Sequence, residues 1–326
     1  MMIAFSAMRD LYTGDFEIYV MDADGANLRR LASASPHQAT HPVWSPDGKR
    51  IAFTAEPRTL QPKPQIYAID ADGSNLRRLT HNDARNWFMA WLRGGQQIAI
   101  LVTLFSSPQD WTSSIYVMDA DGSNVRCVFG EDVNAVNVCW SPDEQEIALD
   151  RRNVDDQIYI ADGDGSNIRR LTYDPLPKHQ PAWSPSGQHI AFRSGDEDGT
   201  YVYVMDADGS KIRRLGELAV DGNFVWSPDG RHIAFVGYRD WQYAIFIAEV
   251  DRASTYQLTD LNEGDGSGEV RPAMPAWSPD GTELVFSTFV EEQFHIDRTQ
   301  LDGTNPRRLT DGRQRLALIY DLAWGR

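Results

Sequence analysis

Seven tryptophans, Trp44, Trp91, Trp140, Trp183, Trp226, Trp277 and Trp324, recur along the 326-residue chain at intervals of 47, 49, 43, 43, 51 and 47. The first six are each followed by a turn and a strand, as in PVWSPDGKRIAF (42–53), with a second string, IYVMDADGANLRRL (18–31), in the other half of the unit. A repeat this short is one small sheet that cannot bury its own faces, so the copies must pack on one another. That requirement constrains the fold more than any single residue does.

Each unit reads as four strands. PVW is the start of a strand A, SPDG a tight turn in which Pro46 presets one dihedral and Gly48 is free to take positive φ, and KRIAF a strand B. IYVMD alternates as strand C, the Asp-Gly of ADGS suits a hairpin with a glycine bulge, and NLRRL is strand D. The second string recurs from Ile66, Ile115, Ile158 and Val202, and more weakly from Ile245 and Leu301. No segment carries a 3.6-residue apolar period, so essentially no helix is expected.

The last unit has a strand A (319–324) and no strand B after it, whereas MIAFSA (2–7) matches RIAFTA (50–55). The N-terminal strand is therefore predicted to pair with 319–324. Counting from Trp324 through the two chain ends to Trp44 gives 46 residues, inside the range of the other intervals. An open stack would expose two apolar faces, and a closed ring removes them. The expected fold is all-β: a seven-bladed β-propeller of four-stranded antiparallel blades, one domain spanning 1–326.

These strings resemble the WD40-like propeller repeat of the TolB family and its relatives, the dipeptidyl-peptidase-type propellers among them, over nearly the whole chain. The matching residues are the WSPDG-x-x-IAF and IYVMDADGSN-x-RRLT strings. The resemblance implies the propeller. TolB proteins belong to the Tol-Pal cell-envelope system, with an export signal and an α/β domain before a six-bladed propeller; neither preceding element is expected here, and seven units are counted. Similar propellers precede the hydrolase domain of prolyl-oligopeptidase-type peptidases. Some polysaccharide lyases, such as oligogalacturonate lyases, are seven-bladed propellers of related sequence.

Composition narrows the partners. The formal net charge is −16, which disfavours nucleic acid and anionic membrane surfaces, since phosphate binding needs clustered positive charge. No run of about 18 apolar residues is present, so no membrane insertion is expected. The N-terminal MMIAFSAMRD has no basic region and no apolar core of signal-peptide length, so the chain as given reads as cytoplasmic, or periplasmic or extracellular if it is a trimmed form. Cys127 and Cys139 are expected as two buried free thiols. A monomer is expected.

The repeated residues serve architecture: tryptophans pack between blades, and arginine pairs blunt the outer strand edge. One arginine of each pair is expected to meet the Asp of strand C, such as Asp22, Asp70, Asp119 or Asp206. The DADG strings lack a third acidic position and a distal Glu, so they read as turns rather than calcium loops. Function is sought in the departures. The A–B and C–D turns share one face of the disc, and the variable D–A and B–C loops share the other, around the channel mouth.

Trp87, at the start of a strand A, and Trp111 and Trp241, in B–C loops, are placed on that variable face as stacking candidates, or as caps on their own blades. The residue three before each repeat tryptophan is His41, Phe88, Asn137, Gln180, Asn223, Met274 and Asp321. The polar ones could converge on a ligand at the channel mouth, or simply hold water. His37, His41 and His179 fall on the same face without a complete metal motif, so neither metal nor cofactor is expected. There is no nucleophile elbow, and GDGSGE (264–269) reads as a flexible lid. The expected function is a non-enzymatic binding or scaffold propeller that holds a peptide, a protein partner or a small polar ligand at the channel mouth. A carbohydrate-active enzyme, lyase or glycoside hydrolase, is the alternative at the same place. A module detached from a larger envelope or peptidase assembly is a third reading.

Overall fold

The computed structural model describes residues 1–8, 15–32, 37–57, 59, 62–105, 111–151, 155–196, 199–239, 242–259, 275–290, 293–311 and 316–325. It contains seven four-stranded antiparallel sheets. Blade 1 is His37–Trp44, Arg50–Pro57, Gln65–Asp70 and Arg77–Arg78, and blade 2 is Arg85–Leu92, Gln97–Phe105, Trp111–Asp119 and Arg126–Phe129. Blades 3 to 5 have inner strands Ala135–Trp140, Lys178–Trp183 and Val220–Trp226, and blade 6 begins at Ala276–Trp277. Blade 7 joins the two ends of the chain: its order is Leu318–Trp324, Met2–Met8, Phe16–Asp22, Arg29–Ala32. Ile3 lies opposite Trp324 and Ala4 opposite Ala323, as the sequence predicted.

The core is distributed between the blades. Seven hydrophobic clusters each draw on two successive blades; one combines Phe5 and Tyr19 of blade 7 with Val285 and Leu309 of blade 6. This follows from strand alternation, since both faces of each blade are covered by neighbours and both must be apolar. The tryptophans add direction to this packing. Trp44 Nε1 donates to the Ala323 carbonyl, Trp91 to Val43, Trp226 to Ala182 and Trp277 to Val225, each on the inner strand of the preceding blade. The C–D turns form a second seam. Gly25 has φ +89°, and a Cβ there would stand 2.5 Å from the Leu309 carbonyl oxygen of blade 6, so only glycine allows this approach.

The two turn motifs are self-capped. In SPDG the buried Ser45 Oγ donates to Asp47 at 2.6 Å and accepts from the Arg50 amide at 2.9 Å, a pattern repeated at Ser141, Ser227 and Ser278. In DADGSN the first Asp binds the Asn five residues on: Asn27 to Asp22, Asn75 to Asp70 and Asn124 to Asp119. This overturns the expected arginine partners. Asp22, Asp70 and Asp119 are engaged within their own turns, and Asp206 meets Lys211 and His189. The arginines reach elsewhere: Arg29 donates to the Ala71 carbonyl of blade 1 and Arg213 to the Val250 carbonyl of blade 5. Only in blade 6, among the described residues, does a strand C aspartate, Asp297, take the arginine of its own outer strand, Arg308.

The expectation of two buried thiols is corrected. Cys127 is exposed because it occupies an arginine position of an outermost strand, whereas Cys139 is half-buried, and desolvation raises its thiol pKa. In blade 2, where the sequence reads LRGG in place of SPDG, the A–B turn is a three-residue 3-10 turn, Arg93–Gly95. No helix of the described residues is long and apolar enough to cross a membrane.

Turn capping carries a pH dependence. Hydrogen bonds from Ser45, Ser141 and Ser278 hold Asp47, Asp143 and Asp280 below the ordinary aspartate value, and Ser74, Ser123, Ser166 and Ser210 do so for Asp72, Asp121, Asp164 and Asp208. A carboxyl group depressed in the folded state contributes stability that is complete above its unfolded pKa, about 3.9, and is lost as pH falls through the folded value. The melting temperature is therefore expected to be flat between about pH 7 and 5 and to fall steeply below about pH 4. A melting temperature unchanged down to pH 3 would contradict this assignment.

Candidate functional site

The inner strands line the channel, and all those described in full carry the same irregularity. The ladder slips between Thr40 and Val43, Phe88 and Ala90, Ala135 and Val138, His179 and Ala182, Val220 and Phe224, and opposite Ile319 and Leu322. In each of these blades but the second the slip includes the residue three before the tryptophan, so the polar positions picked out in the sequence are β-bulges; in blade 2 Phe88 stays paired with Ile100 and Met89 is the unpaired residue. Met274, the equivalent in blade 6, lies outside the described residues. A bulge leaves backbone groups without ladder partners, and buried ones must be satisfied another way. His41 and Gln180 both take φ +55°, a left-handed conformation uncommon for such residues.

Acidic side chains satisfy three of these bulges, at Asn137, Gln180 and His41. Asp150 is 3% exposed and accepts from the Asn137 amide at 2.9 Å, the Asn137 side chain at 2.8 Å and the Gln180 amide at 2.8 Å, so it ties blade 3 to blade 4. Asp321 plays the same part between blades 7 and 1: its Oδ2 accepts from the His41 amide at 2.9 Å and from Ser6 Oγ at 3.2 Å. The His41 ring is 3.8 Å from that carboxylate and stands edge-on to Trp87, with centroids 6.4 Å apart.

A cavity of about 360 Å³ opens against the inner strands of blades 2 to 5. Blade 2 lines it with Trp87, Phe88 and Met89, and blades 3 to 5 line it with Asn137, Gln180 and Asn223 interspersed with apolar neighbours such as Val138 and Phe224. Gln180 Nε2 donates to Asn223 Oδ1, and Arg193 donates to Gln180 Oε1 at 3.0 Å. Burial depresses the Arg193 guanidinium pKa, and the Asp221 carboxylate opposes that effect.

The sequence-derived candidates thus separate into three groups. Trp87, Asn137, Gln180 and Asn223 share the cavity; His41 and Asp321 form an adjoining pair. Trp111 is not in a loop. It opens strand C of blade 2, paired with Phe105 at a ring distance of 6.2 Å, because the B–C hairpin there extends four residues beyond the pair formed by half-buried Leu101 and buried Ile115. Trp241 and the 264–269 stretch lie outside the described residues. His179 sits 3.9 Å from Asp150, away from His41, and among the described residues no three His, Cys, Asp or Glu side chains converge. Sequence reasoning missed Asp150 and Arg193. The signal was there: a charge after the apolar triplet of strand B, in EIALD and HIAFR, where MIAFS and RIAFT have hydroxyls.

The sequence profile of the TolB β-propeller domain matches residues 3–104 and 106–316. The chain belongs to the TolB β-propeller domain family. No curated protein matches its sequence. Among solved structures, this TolB-type propeller is similar to TolB from Acinetobacter baumannii, at 18% identity and a TM-score of 0.60, covering 95% of this chain and 79% of the other. It is also similar to an oligogalacturonate lyase in complex with manganese, at 13% identity and a TM-score of 0.71, covering 88% and 83%. A puromycin hydrolase gives 16% identity and a TM-score of 0.74, covering 95% of this chain but 52% of the hydrolase. At these identities the likeness concerns the fold, and fold alone does not carry function.

Proposed function

We propose that this TolB-type propeller is a binding module that holds a short peptide segment in the channel cavity of blades 2 to 5. The observation that carries the reading is the composition of that cavity, whose lining combines neutral amides from three consecutive blades with the aromatic Trp87 and Phe88. Asn and Gln offer donors and acceptors without charge, which suits main-chain amides, while Trp87 and Phe88 offer faces for apolar side chains. A volume near 360 Å³ suits a few residues rather than a folded domain.

A phage-displayed heptapeptide library tests this directly. Selected peptides are expected to bind with micromolar affinity by fluorescence anisotropy. Trp87→Ala and Gln180→Ala are each expected to weaken binding about 10-fold, a loss of about 1.4 kcal/mol, with little change in melting temperature. Failure to enrich any peptide, or affinity indifferent to both substitutions, would overturn the reading. Release of ultraviolet-absorbing unsaturated products from acidic oligosaccharides would replace it with the lyase alternative.

A further inference from the structure

One position of strand B, directly after its apolar triplet, is Ser6, Thr54, Leu101, Asp150, Arg193, Val236 and Ser287 in the seven blades. Leu101 lines the channel cavity, so this position backs its wall. Only blades 3 and 4 place charges there, and the two are of opposite sign. They stand behind the amides of the cavity.

We propose that Asp150 and Arg193 are positioning residues that fix the hydrogen-bond polarity of the cavity wall, selecting ligands with secondary-amide groups. The inference rests on the peptide-binding reading above. A carboxylate only accepts, so Asn137 must turn its Nδ2 to Asp150, as it does at 2.8 Å, which leaves Oδ1 as the acceptor facing away. A guanidinium only donates, so Gln180 must turn Oε1 to Arg193 and its Nε2 toward Asn223. Asn223 therefore receives through Oδ1 and leaves Nδ2 free to donate. Reversing any of these amides would set donor against donor or acceptor against acceptor. The wall thus presents an acceptor on blade 3 and donors on blades 4 and 5.

That pattern discriminates only among ligands whose own donors and acceptors are fixed. A sugar hydroxyl rotates to donate or accept, so a wall of set polarity gains nothing against it. A peptide main chain has an N–H for Asn137 and a carbonyl for Gln180 or Asn223, and a tertiary amide lacks the N–H.

The probe is Ac-Ala-Ala-Ala-NHMe, titrated into the isotope-labelled full chain while the side-chain amide signals of Asn137, Gln180 and Asn223 are followed. Analogues N-methylated at one amide each are the comparison. One of them is expected to bind about 10-fold more weakly, and Arg193→Met is expected to weaken the parent probe while shifting the Gln180 and Asn223 signals but not that of Asn137. Equal affinity for the parent and all N-methyl analogues would overturn the inference and leave the binding reading standing. If no peptide binds, the binding reading fails, and side-chain hydrogen exchange in the free protein decides the polarity. Slow exchange at Asn137 Nδ2 with fast exchange at Asn223 Nδ2 supports it, and the reverse order refutes it. A merely structural role for Arg193 would leave the order of exchange at Gln180 and Asn223 unchanged in Arg193→Met.

Discussion

Removal of Met2–Met8 is expected to leave no soluble, folded monomer. This strand lies between Leu318–Trp324 and Phe16–Asp22, and its loss would open both neighbours as bare edges. Ile3, Ala4, Phe5 and Ala7 are fully buried, and Phe5 stacks on Tyr19 at 5.6 Å. Burial of Ile3 and Phe5 alone contributes about 1.5–3 kcal/mol each, before the two ladders are counted, against a total stability of about 5–15 kcal/mol for a typical domain. Light scattering after size exclusion should find aggregate. The point substitution Phe5→Ala is expected to cost about 3–5 kcal/mol and lower the melting temperature by about 5 °C while the ring stays closed. A trimmed protein that elutes as a monomer and melts like the full chain would refute closure by this strand.

Asp150→Ala is expected to have the largest effect of any single polar substitution in the channel wall. It removes the acceptor from two backbone amides and one side-chain amide across two blades. Each hydrogen bond to a charged group contributes about 1.5–3 kcal/mol, and the site is too buried for water to replace them freely. A loss of about 3–5 kcal/mol, read as a melting temperature about 5 °C lower, is expected. Asp321→Ala is the internal comparison. It caps the His41 bulge in the same way, but its side chain is 27% exposed, so water should fill in and the loss should be about 1–2 kcal/mol. Equal effects of the two substitutions would show that burial of the cap is not what matters.

Much of this fold was legible because the repeat states the same local chemistry many times. SPDG and DADGSN are turns by composition alone, and their hydrogen bonds stay within a few residues. Closure followed from MIAFSA matching RIAFTA. The polar positions of strand A were visible as departures from a pattern, but not as bulges, because a bulge is a relation between two strands. The rim arginines were misassigned for the same reason. Asp22 is the strand C aspartate nearest to Arg29 in sequence, yet the partner of Arg29 is the Ala71 carbonyl of the following blade. Trp111 was displaced because hairpin length depends on pairing with Phe105, which no local propensity reports.

The sequence by itself determined the blade, the number of blades and which strand closes the ring, since these depend on period, turn residues and alternation along the chain. Only the tertiary structure decided which departures meet. Asn137, Gln180 and Asn223 are 43 residues apart in succession and share one wall because ring curvature turns successive inner strands toward a common axis. The charges that orient them, Asp150 and Arg193, act through contacts across strands and between blades, and hydrogen-bond polarity arises only once those contacts exist.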